Sequence, residues 1–422
     1  MPAATSPSYR PRVVDSELTH QLSAVGAVVL EGPKACGKTA TARQIAASEV
    51  LFDVDPNARQ ALAVDPALVL DGPTPRLLDE WQVEPIIWNH VRRAIDDRGR
   101  SGQFVLTGSA VPADDVTRHT GAGRIARLRM RPMSLFEAGR STGRISLARL
   151  LDGQIESCPD PGVAVADLAE EIAIGGWPGL RDRPAPNVLS AVRGYLDEIA
   201  RVDVSRVDAA RRDPERVGRL LRSLARNTAT HAAATTLAAD AGGADGPLKD
   251  DTVREYLRVL ERLMVIEDQP AWAPHLRSKY RLRTAPKRHF VDPSLAVAAL
   301  RTTPARLLHE INTLGFLFES LVVRDLRVYA QAADAQVLQY RDSGGLEVDA
   351  IVEARDGRWM AFEVKLGQRQ VDEAAAALLR FAERVDTARC GEPALLGVIV
   401  ATGYGYRRED GVAVVPIGAL AP

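Results

Sequence analysis

The sequence predicts an α/β multidomain protein, with a parallel sheet towards the N-terminus, a largely helical middle and an α/β C-terminal part. Three observations carry this. Short apolar runs alternate with helical periodicity from residue 15 to about 140. Residues 187 to 265 show helical spacing almost throughout. Between Leu346 and Gly367, two alternating apolar runs flank the turn signal Arg355-Asp356-Gly357, as in a β-hairpin.

Each element follows from its local pattern. Strands are expected at Ala27 to Leu30, Val50 to Asp53, Leu77-Leu78 and Phe104 to Leu106, with a helix at Ile86 to Asp97 among them. A Gly- and Pro-rich passage containing Gly175-Gly176-Trp177-Pro178-Gly179 and Arg183-Pro184-Ala185-Pro186 reads as a boundary. Asp250-Asp251 offers an N-cap for a helix from Thr252 to Leu263, whose Val253, Tyr256, Leu257, Leu260 and Leu263 share one face. A long amphipathic helix is expected from Leu307 to Tyr329. After the hairpin come a helix at Val371 to Val385 and a strand at Leu395 to Ala401.

Composition narrows the function classes. The chain has 422 residues, enough for two or three domains with their own cores. Hydrophobic content of 46% and charged content of 26% suit an ordinary globular protein. Net charge is −1, so any basic surface must be local. Cys36, Cys158 and Cys390 lack disulfide or zinc spacing, which points to a reducing compartment. The first residues contain no apolar signal core, and no apolar run approaches the roughly 18 residues of a membrane span. A cytoplasmic protein without a membrane partner is expected.

The strongest motif is GPKACGKT, which directly follows the first strand and opens a helical stretch. It assigns Gly32, Pro33, Lys34, Ala35, Cys36, Gly37, Lys38, Thr39 and Ala40 to a phosphate-binding loop for ATP. Its glycines let backbone N–H groups face the phosphates, Lys38 neutralises them, and Thr39 holds Mg²⁺. Leu77-Leu78-Asp79-Glu80 supplies a second metal group, Asp79, and a base, Glu80, that polarises the attacking water. Thr107 and Ser109, after the fourth strand, stand where a polar group reads the γ-phosphate. Arg124 is a candidate for the same charge, within one chain or across subunits of a homo-oligomer.

These segments resemble the AAA-type P-loop ATPases of bacteria and archaea that carry a DUF4143 domain. The resemblance rests on GPKACGKT, FDVDPNARQALAVDP, LLDEWQ, FVLTGSA, GRIARLRMRPMSLFE, GGWPGL and EVDAIV with FEVK, in that order, over about residues 15 to 370. It implies an AAA-like domain at 1–145 and a helical linker or lid at 146–210. A winged-helix-like domain at 211–290 and a restriction-endonuclease-like DUF4143 domain at 291–422 follow. Trp81 and Gln82 depart from the usual aliphatic run. Cys36 would make nucleotide binding sensitive to thiol oxidation.

The middle carries two basic features. Arg254, Arg258 and Arg262 fall at i, i+4 and i+8, one face of a helix that fits a DNA groove. Arg277, Lys279, Arg281 and Arg283 alternate on a strand, which suits a phosphate backbone. Solvation, or pairing with Glu255 and Glu261, is the plainer reading of the helix.

The hairpin carries a second candidate site. For Val348, Ala350 and Val352 to share a core face with Met360, Phe362, Val364 and Leu366, Val348 must pair with Val364 and Ala350 with Phe362. A three-residue Arg355-Asp356-Gly357 loop gives that parity. Asp349 then faces Glu363, where like charges repel unless a cation joins them. The same register sets Glu347 opposite Lys365. Glu319, with Gly315, Phe316, Val322 and Val323 around it on its helix, is a third acid that burial makes costly. Glu319, Asp349, Glu363 and Lys365 together predict a second Mg²⁺ or Mn²⁺ site of nuclease type. The expectation is an ATPase coupled to a DNA-directed, nuclease-like domain; the alternatives are a signalling scaffold or a transcription regulator that binds without cleaving.

Overall fold

The protein is described by a computed structural model covering residues 9–109, 120–204, 213–243, 246–273, 285–342 and 344–422. Its N-terminal domain runs α1 (Val14–Ala24), β1 (Ala27–Glu31), α2 (Lys38–Arg43), β2 (Ser48–Leu51), α3 (Pro56–Val64), α4 (Ala67–Leu70), β3 (Arg76–Asp79), α5 (Ile87–Arg98), β4 (Phe104–Gly108) and β5 (Ile125–Arg129). The five strands form one parallel sheet in the order β2-β3-β4-β1-β5. Both faces are covered. Val28 and Leu30 pack with Leu18 and Leu22 of α1, while Val29, Leu78 and Leu106 pack with Trp81, Trp88 and Val91. Apolar runs buried on both sides are what a parallel sheet demands.

One local expectation needs correction, and two further boundaries are set by the structure. The second strand is Ser48–Leu51 rather than Val50 to Asp53, because pairing Val50 with Leu78 sets the register. Helix α2 ends at Arg43 and leaves only a short connection before β2. The stretch after Arg124 forms the edge strand β5, whose burial is too patchy to read from periodicity.

The middle comprises β6 (Ile145–Ser146), α6 (Leu147–Leu151), α7 (Val165–Ile174) and α8 (Ala185–Glu198), which continues as a π-turn at Ile199–Asp203. Then come α9 (Pro214–Arg226), α10 (Ala234–Ala241) and α11 (Asp250–Arg262). Lys249 occupies the N-cap position of α11 without a side-chain cap, so Asp250 and Asp251 lie in its first turn, where their charge favours the helix dipole. Beyond α11 the backbone pairs antiparallel at Ile266 with Phe290 and at Gln269 with Lys287. Arg277, Lys279, Arg281 and Arg283 lie outside the described residues.

Helices α12 (Pro293–Ala299), α13 (Pro304–His309) and α14 (Ile311–Ala332) lead into the C-terminal sheet. The helix expected from Leu307 is interrupted: Glu310, at φ −110° and ψ 59°, separates α13 from α14. The sheet contains β7 (Ala335–Arg341), β8 (Glu347–Ala354), β9 (Trp359–Lys365), β10 (Leu395–Val400), β11 (Tyr406–Arg407) and β12 (Ala413–Pro416), in the order β11-β12-β10-β9-β8-β7. It is mixed, with β9, β10 and β12 parallel and the other neighbours antiparallel. Helices α15 (Val371–Arg384) and α16 (Thr387–Cys390) follow β9, and β13 (Leu420–Ala421) pairs with β6.

One apolar core runs from Leu135 through the middle helices to Ala350, Val352, Met360, Phe362 and Val364. Trp272, Ile351, Trp359 and Phe381 form a second core on the opposite face of the C-terminal sheet. No helix among the described residues is long and apolar enough to cross a membrane.

Candidate functional site

The first candidate site lies at the carboxyl ends of β1, β3 and β4. Between β1 and α2 the loop contains two residues in the left-handed region, Ala35 at φ 63° and Gly37 at φ 104°. Such alternation turns successive N–H groups towards one concavity, an anion-binding nest. Gly32 is required for a different reason: a Cβ there would run into the Met130 carbonyl and the Cys36 sulfur. Lys38 is buried, its ammonium donating to the Gly32 and Pro33 carbonyls at 3.0 and 2.9 Å.

Asp79 ends β3 and collects two hydroxyls. Thr39 donates to its Oδ1 at 2.8 Å, and Thr107, on the neighbouring strand β4, donates to the same oxygen. Parallel pairing of Leu30 with Thr107 brings β4 beside the loop strand, which is why residues so distant in sequence converge. Glu80 adopts φ 52°, a strained backbone for a residue with a Cβ, and accepts a hydrogen bond from Gln82. Burial raises its pKa, as do Asp79 and Asp53, against the pull of Gln82 and Lys38. Ser109 is buried and lines the same cavity, which has a volume of about 1220 Å³.

This cavity is walled by parts that sequence reasoning did not assign. Tyr9, Arg10 and Arg12 come from the N-terminal segment, Trp177 to Leu180 from the GGWPGL passage, and Ala191, Val192 and Tyr195 from α8. Arg12 is buried and donates to the Cys36 carbonyl at 2.8 Å, to the Arg131 carbonyl at 2.7 Å and to Glu137 at 3.0 Å, so it holds the loop against the end of β5. Lys34 reaches out of the loop to Asp203 of the π-turn at 2.6 Å. The only hint was GGWPGL, which reads as a boundary yet closes the site. Gly176 packs so tightly on Met133 that a Cβ would strike its backbone.

Two residues lie apart from the cavity within this chain. Cys36 is fully buried, its sulfur directed at the Met130 carbonyl, so oxidants have no direct route to it. Arg124 does not face the cavity; it pairs with Asp96 at 2.6 Å on the surface. Trp81, which departed from an aliphatic pattern, is fully buried against Trp88 with ring centroids 5.1 Å apart.

Residues 25–139 match the AAA domain family. The N-terminal domain is of the AAA type. Residues 165–306 and 314–420 match two domains of unknown function, DUF8612 and DUF4143. A solved structure, the Walker-type ATPase PABY2304 of Pyrococcus abyssi, resembles the chain at 12% identity and a TM-score of 0.41, over 69% of this chain and 96% of that one. No curated protein matches. The region that matches the AAA family carries the P-loop, and the match supports a nucleotide-binding domain of the ATPase kind.

The second candidate site lies in the DUF4143 region. The hairpin has the expected three-residue loop: Ala354 N–H donates to the Arg358 carbonyl at 2.8 Å, and Gly357 has φ 91°. Ala350 pairs with Phe362 as required, but the ladder ends there. A one-residue shift between Leu338 and Tyr340 in the pairing with β7 turns Val348 to the opposite face, against Ile351. The expected Val348–Val364 pair is therefore absent. Its place is taken by a side chain: the Val364 N–H donates to the Asp349 carboxylate at 2.9 Å. Glu347 pairs with Arg341 at 3.0 Å rather than with Lys365.

The acids nonetheless converge. Glu319 and Glu363 are buried with Asp349 half-buried beside them, and Lys365 donates to Glu363 at 2.7 Å. The addition is Lys287, from the pairing that follows α11. Its ammonium lies 2.5 Å from Glu319 and 3.0 Å from Asp349. Burial raises the pKa of Glu319 to about 8, as does Asp349, with Lys287 opposing. Glu363 also rises, through burial and Asp349, with Lys365 opposing. Burial acts upward on Asp349 too, yet Lys287, Lys365 and the Val364 N–H hold it below the ordinary range. Three carboxyls thus share two ammoniums and retain a proton near neutrality.

Among the described residues no group of three or more His, Cys, Asp or Glu is arranged to hold a metal ion. Lys287 supplies positive charge where the sequence called for Mg²⁺, so the residues do not fit a resident metal in this arrangement.

The α11 arginines expected to face nucleic acid differ in exposure. Arg254 and Arg258 are exposed on α11 and Arg262 is half-buried. The domains meet at Glu267, a half-buried carboxylate that accepts from Arg131 at 2.7 and 3.0 Å. Arg129 and Arg327 lie 3.7 and 3.8 Å away. Burial raises the pKa of Glu267, but these three guanidiniums outweigh it and leave the group well below the usual range.

Proposed function

We propose that this chain is an ATP-hydrolysing switch whose nucleotide state is passed to a C-terminal domain that binds nucleic acid without cutting it. The observation that carries the ATPase half is the set of groups around Asp79: Thr39 and Thr107 on one carboxylate, Glu80 next to it on the cavity wall. Loop N–H groups and Lys38 would hold the phosphates. Thr39 and Asp79 would hold Mg²⁺, which adds positive charge at the transferring oxygens. Glu80 accepts the proton of the attacking water as the new bond to phosphorus forms and the bond to ADP breaks. Its raised pKa suits a base working near neutrality. Ser109 reads the γ-phosphate, while Thr107 orients Asp79.

Transmission is supported by two connections. Lys34 is tied to Asp203 beyond α8. The Gly176 N–H donates to Asp292, which accepts from Arg324, and Arg324 pairs with Asp325, the acceptor of the Leu135 N–H. We divide the chain for this purpose at 1–145, 146–210, 211–290 and 291–422. Helices α9 to α11 and the following paired segment have the order of a winged helix, with Arg254, Arg258 and Arg262 towards DNA. An Arg124 finger in a homo-oligomer would require its pair with Asp96 to open.

Lys38→Ala should abolish ATP turnover. Glu80→Gln should reduce it roughly a hundredfold or more while ATP still binds. Normal turnover in either variant refutes the assignment.

A second reading, metal-dependent cleavage, is favoured by the convergence of Glu319, Asp349, Glu363 and Lys365. It requires Lys287 to leave the acids. Incubating DNA with Mg²⁺ or Mn²⁺ and either wild type or Lys287→Met decides between them: cleavage that Glu363→Ala removes supports the second reading.

A further inference from the structure

A cleft of about 840 Å³ lies between α8, α9 and the end of α12, away from both sites described above. Among the described residues, Arg193, Arg201, Arg219, Arg222 and Arg301 line it against two carboxylates, Asp197 and Glu215. Arg219 is engaged, donating to the Ala241 carbonyl at 3.0 Å with Glu215 at 3.8 Å. Arg193, Arg201, Arg222 and Arg301 have no ion pair among the described residues, and all four are exposed. In a chain of net charge −1, most of whose described arginines face carboxylates, four unpaired guanidiniums in one concavity form a local positive field.

We propose that this cleft binds linked phosphates, and that α8 couples it to the nucleotide. Guanidinium forks match phosphate oxygens two at a time, and several around one cavity suit a run of phosphates better than a single one. No aromatic side chain is among its described lining residues, which favours recognition of the phosphate chain over stacked bases. The coupling follows from α8, which walls both cavities. Its Ala191, Val192 and Tyr195 face the ATP cavity; its Arg193, Gly194 and Asp197 face the cleft. The same helix runs into Asp203, which grips Lys34 of the P-loop. The opposite wall is linked too, since α12 follows Asp292, the acceptor of the Gly176 N–H. Only this coupling rests on the ATPase reading.

The source of the phosphates is either a nucleic-acid backbone or a free polyphosphate, and both are probed. Fluorescence anisotropy follows a short fluorescein-labelled single-stranded DNA on the full-length protein saturated with Mg-ADP, so that the P-loop is blocked. ADP binding is recorded separately, and its absence would mark a failure of the P-loop reading alone. Arg193→Glu with Arg222→Glu should weaken the DNA roughly tenfold or more and flatten its salt dependence, and should weaken it further when added to Arg254→Glu with Arg258→Glu. If DNA does not bind but inorganic tripolyphosphate does, in calorimetry, and the cleft variant loses it, the ligand is a free polyphosphate. Unchanged binding of both probes in the cleft variant, or loss of DNA only in the α11 variant, overturns the site. Equal affinity with ADP and with a slowly hydrolysed ATP analogue overturns the coupling.

Discussion

The Lys287 ammonium stands 2.5 Å from Glu319 and 3.0 Å from Asp349, inside a cluster otherwise made of helix α14 and the hairpin of β8 and β9. A lysine contributed by the segment after α11 therefore balances acids of the C-terminal domain. The pair joins two regions electrostatically and excludes other cations at once.

Removing that lysine should expose both roles. Lys287→Met leaves buried carboxyls with one ammonium and should cost about 3–5 kcal/mol, as for a broken buried ion pair. Mn²⁺ should then raise the melting temperature of the variant and leave wild type unchanged. A variant as stable as wild type, with no response to Mn²⁺, would contradict the placement.

The same cluster sets a pH dependence. The carboxyl of Glu319 is held at about 8 in the folded chain against an ordinary value of 4.5. A carboxyl raised in this way is neutral in the folded state while already ionised in the unfolded one, so stability is full below 4.5 and falls as pH rises towards 8. Glu319→Gln should flatten that decline in urea midpoints measured across the window. A slope identical to wild type would count against it.

At the junction, Glu267→Ala should destabilise by about 1–3 kcal/mol, because Arg131, Arg129 and Arg327 would be left facing one another in a partly buried place. Hydrogen exchange should report faster opening around residues 129–131 and 327–331. Unaltered exchange there would show that the junction is held by packing alone.

For the GGWPGL passage, Gly176→Ala should cost about 2 kcal/mol or more, since its Cβ meets the Met133 backbone and strains the hydrogen bond from the Met133 N–H to the Gly176 carbonyl. Nucleotide affinity should fall with it, the passage being a wall of the ATP cavity. Chemical denaturation and ADP titration test the two halves separately.

How much of this is legible in the sequence depends on how far apart the partners lie. The P-loop, Asp79 and Glu80 are local patterns at the ends of the parallel strands β1 and β3, which flank β4, and each pattern is legible on its own. The hairpin parity gave Ala350 opposite Phe362, because one buried face fixes a register. It failed one residue pair later, where a shift in the pairing with β7 reorients Val348. Periodicity within two strands contains no information about a third. Lys287 was visible within a basic run whose charges suggested phosphate. Nothing local distinguishes a lysine that faces solvent from one that folds inward onto acids 32 and 62 positions away. Arg12 was hidden for the same reason: its partners are 24, 119 and 125 residues distant.

The hydrogen bonds from Leu135 to Asp325 and from Arg131 to Gln331 span 190 and 200 residues of chain. During synthesis the first sheet can assemble long before these acceptors exist, since its own strands close within residues 27 to 129. Arg131 and the segment around Leu135 must then wait without their partners while nearly half the chain is made. Such late closure slows the final step of folding and leaves that edge open to wrong contacts in the interval. The last part of the ATPase domain to become native is thus the part that faces the rest of the molecule.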